Sequence, residues 1–339
     1  MEGRAAENGG RARVRVLAPA KVNLTLEILR RRADGYHDLA TVMQALDLAD
    51  EIELQVGPGT GIALAVTGAG PEMPAGPANL AVKAAAAYLA ACPAALATAA
   101  LATAAGPTME LAVSIHLTKR IPIAAGLGGG SADAAAVLIG LNHLLGRPLG
   151  SAALHRLAAA LGSDVPFFLV GGTCLATGRG ERLRRLPPLP PCRVVLAAPG
   201  VPVETQWAYE ARTAGELTSR GHSSSMLEFA IRERSWSRIA RALVNDLEEV
   251  VARRFGVVAG VLEELRTGEI VGARMSGSGS AAYALVVGEV EAQALAASLG
   301  RRNHPVHVCR PSRAGCRVLP SGGNPGPGSG SGQLPSHGG

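Results

Sequence analysis

The sequence predicts two domains of mixed helices and strands, on three observations. Its 339 residues suffice for two domains of ordinary size, each with its own core. Segments of apolar and polar alternation stand beside segments of helical pattern. A proline-rich joint, LPPLPP at 186–191, separates a first half from a second that starts afresh with the strand-like CRVVLAAPG.

In chain order, RVRVLAPAKVNLTLEIL at 13–29 alternates in the strand manner on both sides of Pro19, and DEIELQV at 50–56 continues the period of two. Residues 78–91 and 131–145 read as helices, and ELAVSIHLTK at 110–119 as a strand leading into a glycine loop. SAALHRLAAALGSD supplies a further helix, with Ser151 as its N-cap and Gly162 as its end. The second half alternates helices with short strands around another small-residue turn, MSGSGSAAYALVV at 275–287. From Ser321 onward, SGGNPGPGSGSGQLPSHGG holds too few apolar residues to offset its ordering entropy and reads as a disordered tail.

The formal charge of +6 suits an anionic ligand. The basic residues are scattered in short runs such as Arg30, Arg31 and Arg32, whereas a nucleic-acid binder concentrates them on one element. Five cysteines, odd in number and without a CxxC pair, indicate a reduced, cytoplasmic setting. MEGRAAENGGRAR lacks the apolar core of a secretory signal, and the most apolar region, 81–106, is broken by Lys83 and Pro93, so no membrane span is expected. His304 and His307 are spaced like metal ligands, but no cysteine or carboxylate cluster accompanies them, and they read as an exposed pair.

The most informative stretch is IPIAAGLGGGSADAA at 121–135, with Gly126, Gly128, Gly129 and Gly130 followed by Ser131. Glycines so close let backbone N–H groups crowd around an anion, and the following helix points its positive end at the same place. A Walker A loop is excluded, because no lysine follows Gly130. A Rossmann fingerprint fits poorly, since Ser131 takes the place of its third glycine and the next element is another helix. Protein-kinase HRD and DFG sequences are missing. On the loop alone, a glycine-rich turn without a ligand stays open. PAKVNLTL places Lys21 and Asn23 on one side of a strand, and LGSDVPFF places Asp164 just past a helix end, before a proline that stops it. Lys21 or Asp164 alone is ordinarily a solvated charge; beside the loop they suggest a site.

In this order, PAKVNLTL, PIAAGLGGGSADAA, GSDVPFF and SGSGSAAYAL resemble the GHMP kinases, a superfamily of small-molecule kinases, from about Val14 to about Arg313. RRADGYHDLATVMQALDLADEIEL at 31–54 is similar to the members that act on 4-diphosphocytidyl-2-C-methyl-D-erythritol; ADGYH, with the flanking AKVNL, is its most specific part. The resemblance implies an α+β, two-domain GHMP kinase fold: a ribosomal protein S5 domain 2-like N-terminal domain over 12–190 and a ferredoxin-like C-terminal domain over 191–315. Residues 316–339 would be the tail. It implies ATP and Mg²⁺ as cofactors, with phosphorylation of the 2-hydroxyl of the cytidylyl substrate in isoprenoid precursor synthesis. The alternative is another GHMP kinase acting on homoserine, mevalonate or a sugar. Neither nucleic acid nor a membrane is an expected partner.

By the same resemblance Asp164 is the catalytic base and Lys21 its partner. The nucleotide would contact Asn79, Lys119, Pro122, Ala125, Gly126, Leu127, Gly128, Gly129, Gly130 and Ser131, and the substrate Asn23, Tyr36, His37, Thr205 and Tyr209. Tyr36 and Tyr209 would sandwich the cytosine while His37 reads its edge. No protein metal site is expected. Asp133 stands where many relatives carry Asn; it reads as a helix cap, with a Mg²⁺ ligand as the second reading.

Overall fold

Two long antiparallel strands, β1 (Ala12–Arg31) and β2 (His37–Pro58), organise the computed structural model, which describes residues 12–68, 73, 76–92, 111–213, 222–301 and 304–320. Their pairing shifts register between Pro19 and Lys21, Asn23 and Thr25, and Ile28 and Arg30. Irregularities of this kind bend a strand and increase its twist, and the bent ribbon reaches both halves of the molecule. One end of β2 pairs with β4 (Leu111–Thr118), the other with β5 (Thr173–Gly178). β3 (Ile62–Thr67) lies parallel to β4, and β6 (Arg182–Arg185) extends β5. Four helices, α1 (Leu80–Ala91), α2 (Gly129–Leu144), α3 (Ser151–Leu161) and α4 (Val165–Val170), belong to this half. Val16, Ile52, Leu54 and Leu117 from the strands meet Ala81, Ala134 and Leu138 from α1 and α2 in its core.

The second sheet runs β11 (Val306–Cys309), β7 (Arg193–Ala197), β10 (Ala282–Val286), β9 (Gly272–Met275), all antiparallel. Helices α5 (Thr205–Thr213), α6 (His222–Arg232), α7 (Trp236–Ala242), α8 (Glu248–Arg254) and α9 (Gly256–Leu265) fall between β7 and β9, and α10 (Glu289–Gly300) between β10 and β11. The order and connections are those of a ferredoxin-like sheet, as expected. Alternation along β7 divides its side chains. Val195 and Ala197 pack with Val258, Leu262 and Leu299, while Val194 and Leu196 face the first domain, in one cluster with Val22, Leu24, Leu46 and Leu127. The two halves therefore share a buried apolar seam.

Several expectations need correction. Ser151 is the first helical residue and Gly150 the N-cap of α3. Pro166 starts α4 rather than only ending α3, because proline is tolerated in a first helical turn. His304 and His307 are half-buried rather than exposed. Residues 316–320, expected in the tail, return to the first domain: β12 (Arg317–Val318) pairs with β1, and Cys316 N–H donates to Phe168 O at 2.7 Å. Residues 310–315 also bond there, Ser312 N–H to Ala45 O at 2.7 Å and Asp47 N–H to Arg310 O at 3.0 Å. The physical reason is that β1 offers a free edge, and RVL at 317–319 satisfies it. The stretch 321–339 lies outside the described residues. β8 (Val244–Asn245) likewise crosses from the second half to pair with β1. Among the described residues no helix is long and apolar enough to cross a membrane.

Candidate active site

Lys21 and Asn23 share one face of β1 because side chains alternate along a strand. The Lys21 ammonium donates to Asn23 Oδ1 at 2.6 Å, and Asn23 Nδ2 donates to Thr41 Oγ1 at 2.9 Å. From the second domain, the Tyr283 hydroxyl donates to Asn23 O at 2.9 Å. Lys21 is buried, and its nearest carboxylate is Asp164, with Nζ to Oδ2 at 3.6 Å. Burial lowers the Lys21 pKa, and the Asp164 charge opposes that shift without cancelling it. Asp164 occupies the N-cap position of α4 but spends no side-chain oxygen on the helix. Its carboxylate is 38% exposed, so a hydroxyl can reach it from solvent.

The glycine loop joins β4 to α2 immediately beside this pair, with Lys21 N–H donating to Leu127 O at 3.0 Å. Gly126 and Gly128 hold φ of 76° and 72°, which side chains rarely adopt. A Cβ on Gly126 would lie 2.1 Å from Ser276 O, and one on Gly128 would lie 2.7 Å from the Phe168 ring and 3.1 Å from Lys21 Cγ. The loop is thus pressed from behind by the second glycine turn, 276–280. Ser276 Oγ donates to Gly126 O at 3.0 Å and Ala281 N–H to Ala125 O at 3.1 Å. Asn245 Nδ2 fixes that turn by donating to Met275 O and Gly277 O. Ala125 and Leu127 bury their side chains in the apolar seam, so only their backbone can face a ligand. Gly130 has open space where a Cβ would stand. With Ser131 it lies in the first turn of α2, whose first N–H groups lack intrahelical partners and attract an anion.

Beneath the loop lies a buried triad. Lys119 Nζ donates to Asp50 and, at 2.9 Å, to Asp133; Asp50 also accepts from Arg120 N–H at 2.6 Å and Ile121 N–H at 2.9 Å. Burial pulls Lys119 down, but Asp133 and Asp50 more than offset it, and its pKa is raised. Asp133 is pushed up to about 7 by burial, with Lys119 opposing and Asp50 adding. Its Oδ1 is buried without a hydrogen-bond partner. The cap reading of Asp133 is therefore corrected: Gly128 is the N-cap of α2, and Asp133 sits on the helix's buried side. Lys119 is turned into the triad, under the first turn of α2. Asn79 is also buried and caps α1, its side-chain oxygen accepting from Ala81 N–H at 2.9 Å. Pro122 is half-buried at the loop's entrance.

Tyr36 and His37 enter β2 from a tight turn in which Arg32 N–H donates to Tyr36 O at 2.8 Å and Arg32 pairs with Asp34 and Asp38. The two rings have different neighbours. Tyr36 is exposed, with the Arg179 guanidinium 5.0 Å from its centroid, while His37 stacks on Tyr209 of α5 at 5.3 Å and 19°. The stacked pair in the structure is therefore His37 with Tyr209. Burial, then Arg31, lowers the His37 pKa, and its Nε2 is buried without a partner. Thr205 begins α5, and its hydroxyl shares a hydrogen bond with Ser278 of the second glycine turn at 3.0 Å.

Sequence reading missed Asp50, Asn245 and the Ser276–Ser280 backing. Asp50 looks like one more charge in an acidic strand, and only its register opposite Thr118-Lys119 reveals it. Among the described residues, no group of three His, Cys, Asp or Glu side chains is arranged to hold a metal ion.

The "GHMP kinases N terminal domain" model matches residues 79–172, and the "GHMP kinases C terminal" model residues 227–305. The chain is 40% identical over 282 residues to a 4-diphosphocytidyl-2-C-methyl-D-erythritol kinase of Geobacter metallireducens, covering 83% of this chain and 92% of that protein. It is 41% identical over 297 residues to the protein of that name from Pelotomaculum thermopropionicum, covering 88% and 97%. A crystal structure of a 4-(cytidine 5'-diphospho)-2C-methyl-D-erythritol kinase matches with TM-score 0.65 at 35% identity, over 88% of this chain and 99% of that one. A homoserine kinase from Cytophaga hutchinsonii matches with TM-score 0.72 at 19% identity, over 94% and 100%, a likeness of fold.

Proposed function

The chain belongs to the GHMP kinases, in the branch of the 4-diphosphocytidyl-2-C-methyl-D-erythritol kinases, and we propose that it transfers the terminal phosphoryl group of ATP to the 2-hydroxyl of 4-diphosphocytidyl-2-C-methyl-D-erythritol. The products are the 2-phosphate and ADP. The observation that carries this reading is the Lys21–Asp164 pair, 3.6 Å apart, set against the back of the glycine loop. Asp164 takes the hydroxyl proton; the freed oxygen bonds to the γ-phosphorus as the bond to the bridging oxygen breaks and ADP leaves. The Lys21 ammonium faces the charge that develops on the transferring group. Phosphates lie along Gly126–Ser131 and the first turn of α2, where backbone N–H groups are free to donate.

Mg²⁺ fits this site as a partner of the phosphates: Ser131 would supply a hydroxyl oxygen, the hard donor that Mg²⁺ takes singly beside phosphate and water. Asp133 does not serve, being buried and paired with Lys119. When bound, Mg²⁺ supplies further charge neutralisation to the phosphoryl group in flight.

His37 gives the substrate reading its specificity. A neutral imidazole with an unpartnered, buried Nε2 is a hydrogen-bonding group waiting for a base edge, and Tyr209 fixes its plane. Tyr36 offers a second, exposed ring to a stacked cytosine, and Asn23 and Thr205 flank the acceptor end. Homoserine, mevalonate or a sugar would leave this histidine unused. The test is to incubate purified protein with ATP, Mg²⁺ and each acceptor, following ADP and product by mass spectrometry. Turnover with the cytidylyl substrate alone supports the reading, and turnover only with homoserine, mevalonate or galactose overturns it.

A further inference from the structure

A cavity of about 490 Å³, sharing no lining residue with the catalytic site, opens where the proline-rich joint meets the returning C-terminal segment. Five arginines line it, Arg185, Arg193, Arg234, Arg310 and Arg313, and no aspartate or glutamate does. Arg193 is paired with Glu289, and Arg185 donates to the Val170 carbonyl. Arg310 feels Glu289 only at longer range, and neither it nor Arg234 nor Arg313 forms an ion pair with a described carboxylate. Those three guanidinium groups, without an ion-pair partner, repel their neighbours, and an anion among them relieves that repulsion.

The remaining wall is apolar and stiff. Leu186 and Leu189 are buried there, and Pro188, Pro190, Pro191 and Pro311 lock their own φ angles. A wall already fixed loses little freedom when a ligand arrives. We propose that this cavity is a second binding site, for a small organic anion carrying a diphosphate group. Guanidinium forks match phosphoryl oxygens two at a time, and the leucine and proline wall takes up an apolar substituent. The volume lies within the range of small-molecule sites and exceeds what a single phosphate fills. The inference does not depend on the kinase reading.

The test uses the full chain, first saturated with a non-hydrolysable ATP analogue so that the glycine loop is filled, and then titrated with inorganic pyrophosphate in a calorimeter. One binding event is expected, weakened at least about tenfold in an Arg234→Gln/Arg313→Gln double variant and unchanged in Asp164→Asn. Both arginines are exposed, so the double variant should melt at the parent temperature, which separates lost binding from lost folding. Absence of a binding event in the parent, or equal affinity in parent and double variant, overturns the proposal.

Discussion

Replacing Asp164 by Asn removes a charge and keeps the shape, so its consequences can be worked out from the Lys21 contact. Two unit charges 3.6 Å apart attract by ~1 kcal/mol in water and by ~5 kcal/mol at an effective dielectric constant of about 20. Because the Asp164 side chain is 38% exposed, solvent screening favours the lower part of that range, about 1–3 kcal/mol. Burial already lowers the Lys21 pKa, and Asp164 is the group that holds it up. Without the carboxylate it falls further, since burial then acts on Lys21 unopposed by Asp164. Two effects are thus expected in Asp164→Asn. With Asp164 in its proposed role as base, the substitution lowers kcat by about 10²–10⁴-fold, while KM for both substrates changes little. The residual activity also loses its alkaline limb at lower pH than the parent, because Lys21 sheds its proton earlier. The assay is ADP release at saturating substrates from pH 6 to 10, with parent and variant in the same buffers. A kcat within tenfold of the parent would show that transfer needs no base at this position, and an unmoved alkaline limb would show that Asp164 does not sustain the Lys21 charge.

Four further outcomes are expected. Gly126→Ala puts a Cβ 2.1 Å from Ser276 O at a φ of 76° and should cost at least ~2 kcal/mol in urea unfolding, whereas Gly130→Ala, with open space around it, should leave stability intact and raise KM for ATP. Tyr36→Ala should raise KM for the cytidylyl substrate by about 5- to 150-fold, the worth of one stacking face, with little change for ATP, and His37→Ala should narrow the preference for cytidine over uridine analogues; a rise in KM for ATP alone would mean that the two pockets are assigned the wrong way round. The Asp133 carboxyl, pushed up to about 7, keeps its proton in the folded state where the unfolded chain has lost it, so this group makes stability fall as pH rises from about 4 to about 7; Asp133→Asn should flatten that slope in denaturant titrations at pH 5 and pH 8. Truncation after Pro320 should leave the melting temperature within a degree or two, whereas truncation after Arg310 removes β12 and the Cys316 and Ser312 bonds and should lower it by roughly 5 °C or more.

What sequence made legible was set by range. The alternation that puts Lys21 and Asn23 on one face is a two-residue property of a strand, and it survives folding unchanged. The glycine loop was equally visible, since Gly126 and Gly128 serve the local backbone. Asp50 was invisible because its meaning comes from register: it becomes the anchor of Lys119 only when β2 lies beside β4. The return of 310–320 to the first domain was missed for a related reason. A two-residue strand has no periodicity to read, and its formation depends on an edge of β1 left open more than 300 positions earlier. Tyr36 and His37 were found as types, but the partner of each depends on the turn into β2 and on long-range packing, and the stacking of His37 on Tyr209 joins residues from different domains.

The seam between the domains explains why Lys21 belongs to neither alone. Lys21 is rooted in the first sheet, yet its surroundings are completed from the second half: a Cβ on Gly277 would lie 3.2 Å from its Nζ, and Tyr283 holds Asn23, the residue its ammonium bonds. Removing the second half would expose Val22, Leu24, Leu46 and Leu127 to water and take away much of the burial that lowers the Lys21 pKa. The glycine loop would lose the turn that backs Gly126. An apolar seam of this kind resists free hinge motion, so the active geometry is held by the same contacts that stabilise the fold. Glycine loop, Asp164 and Lys21 are therefore held together by one set of contacts, and a substitution in the seam, such as Tyr283→Phe, acts on Lys21 through Asn23.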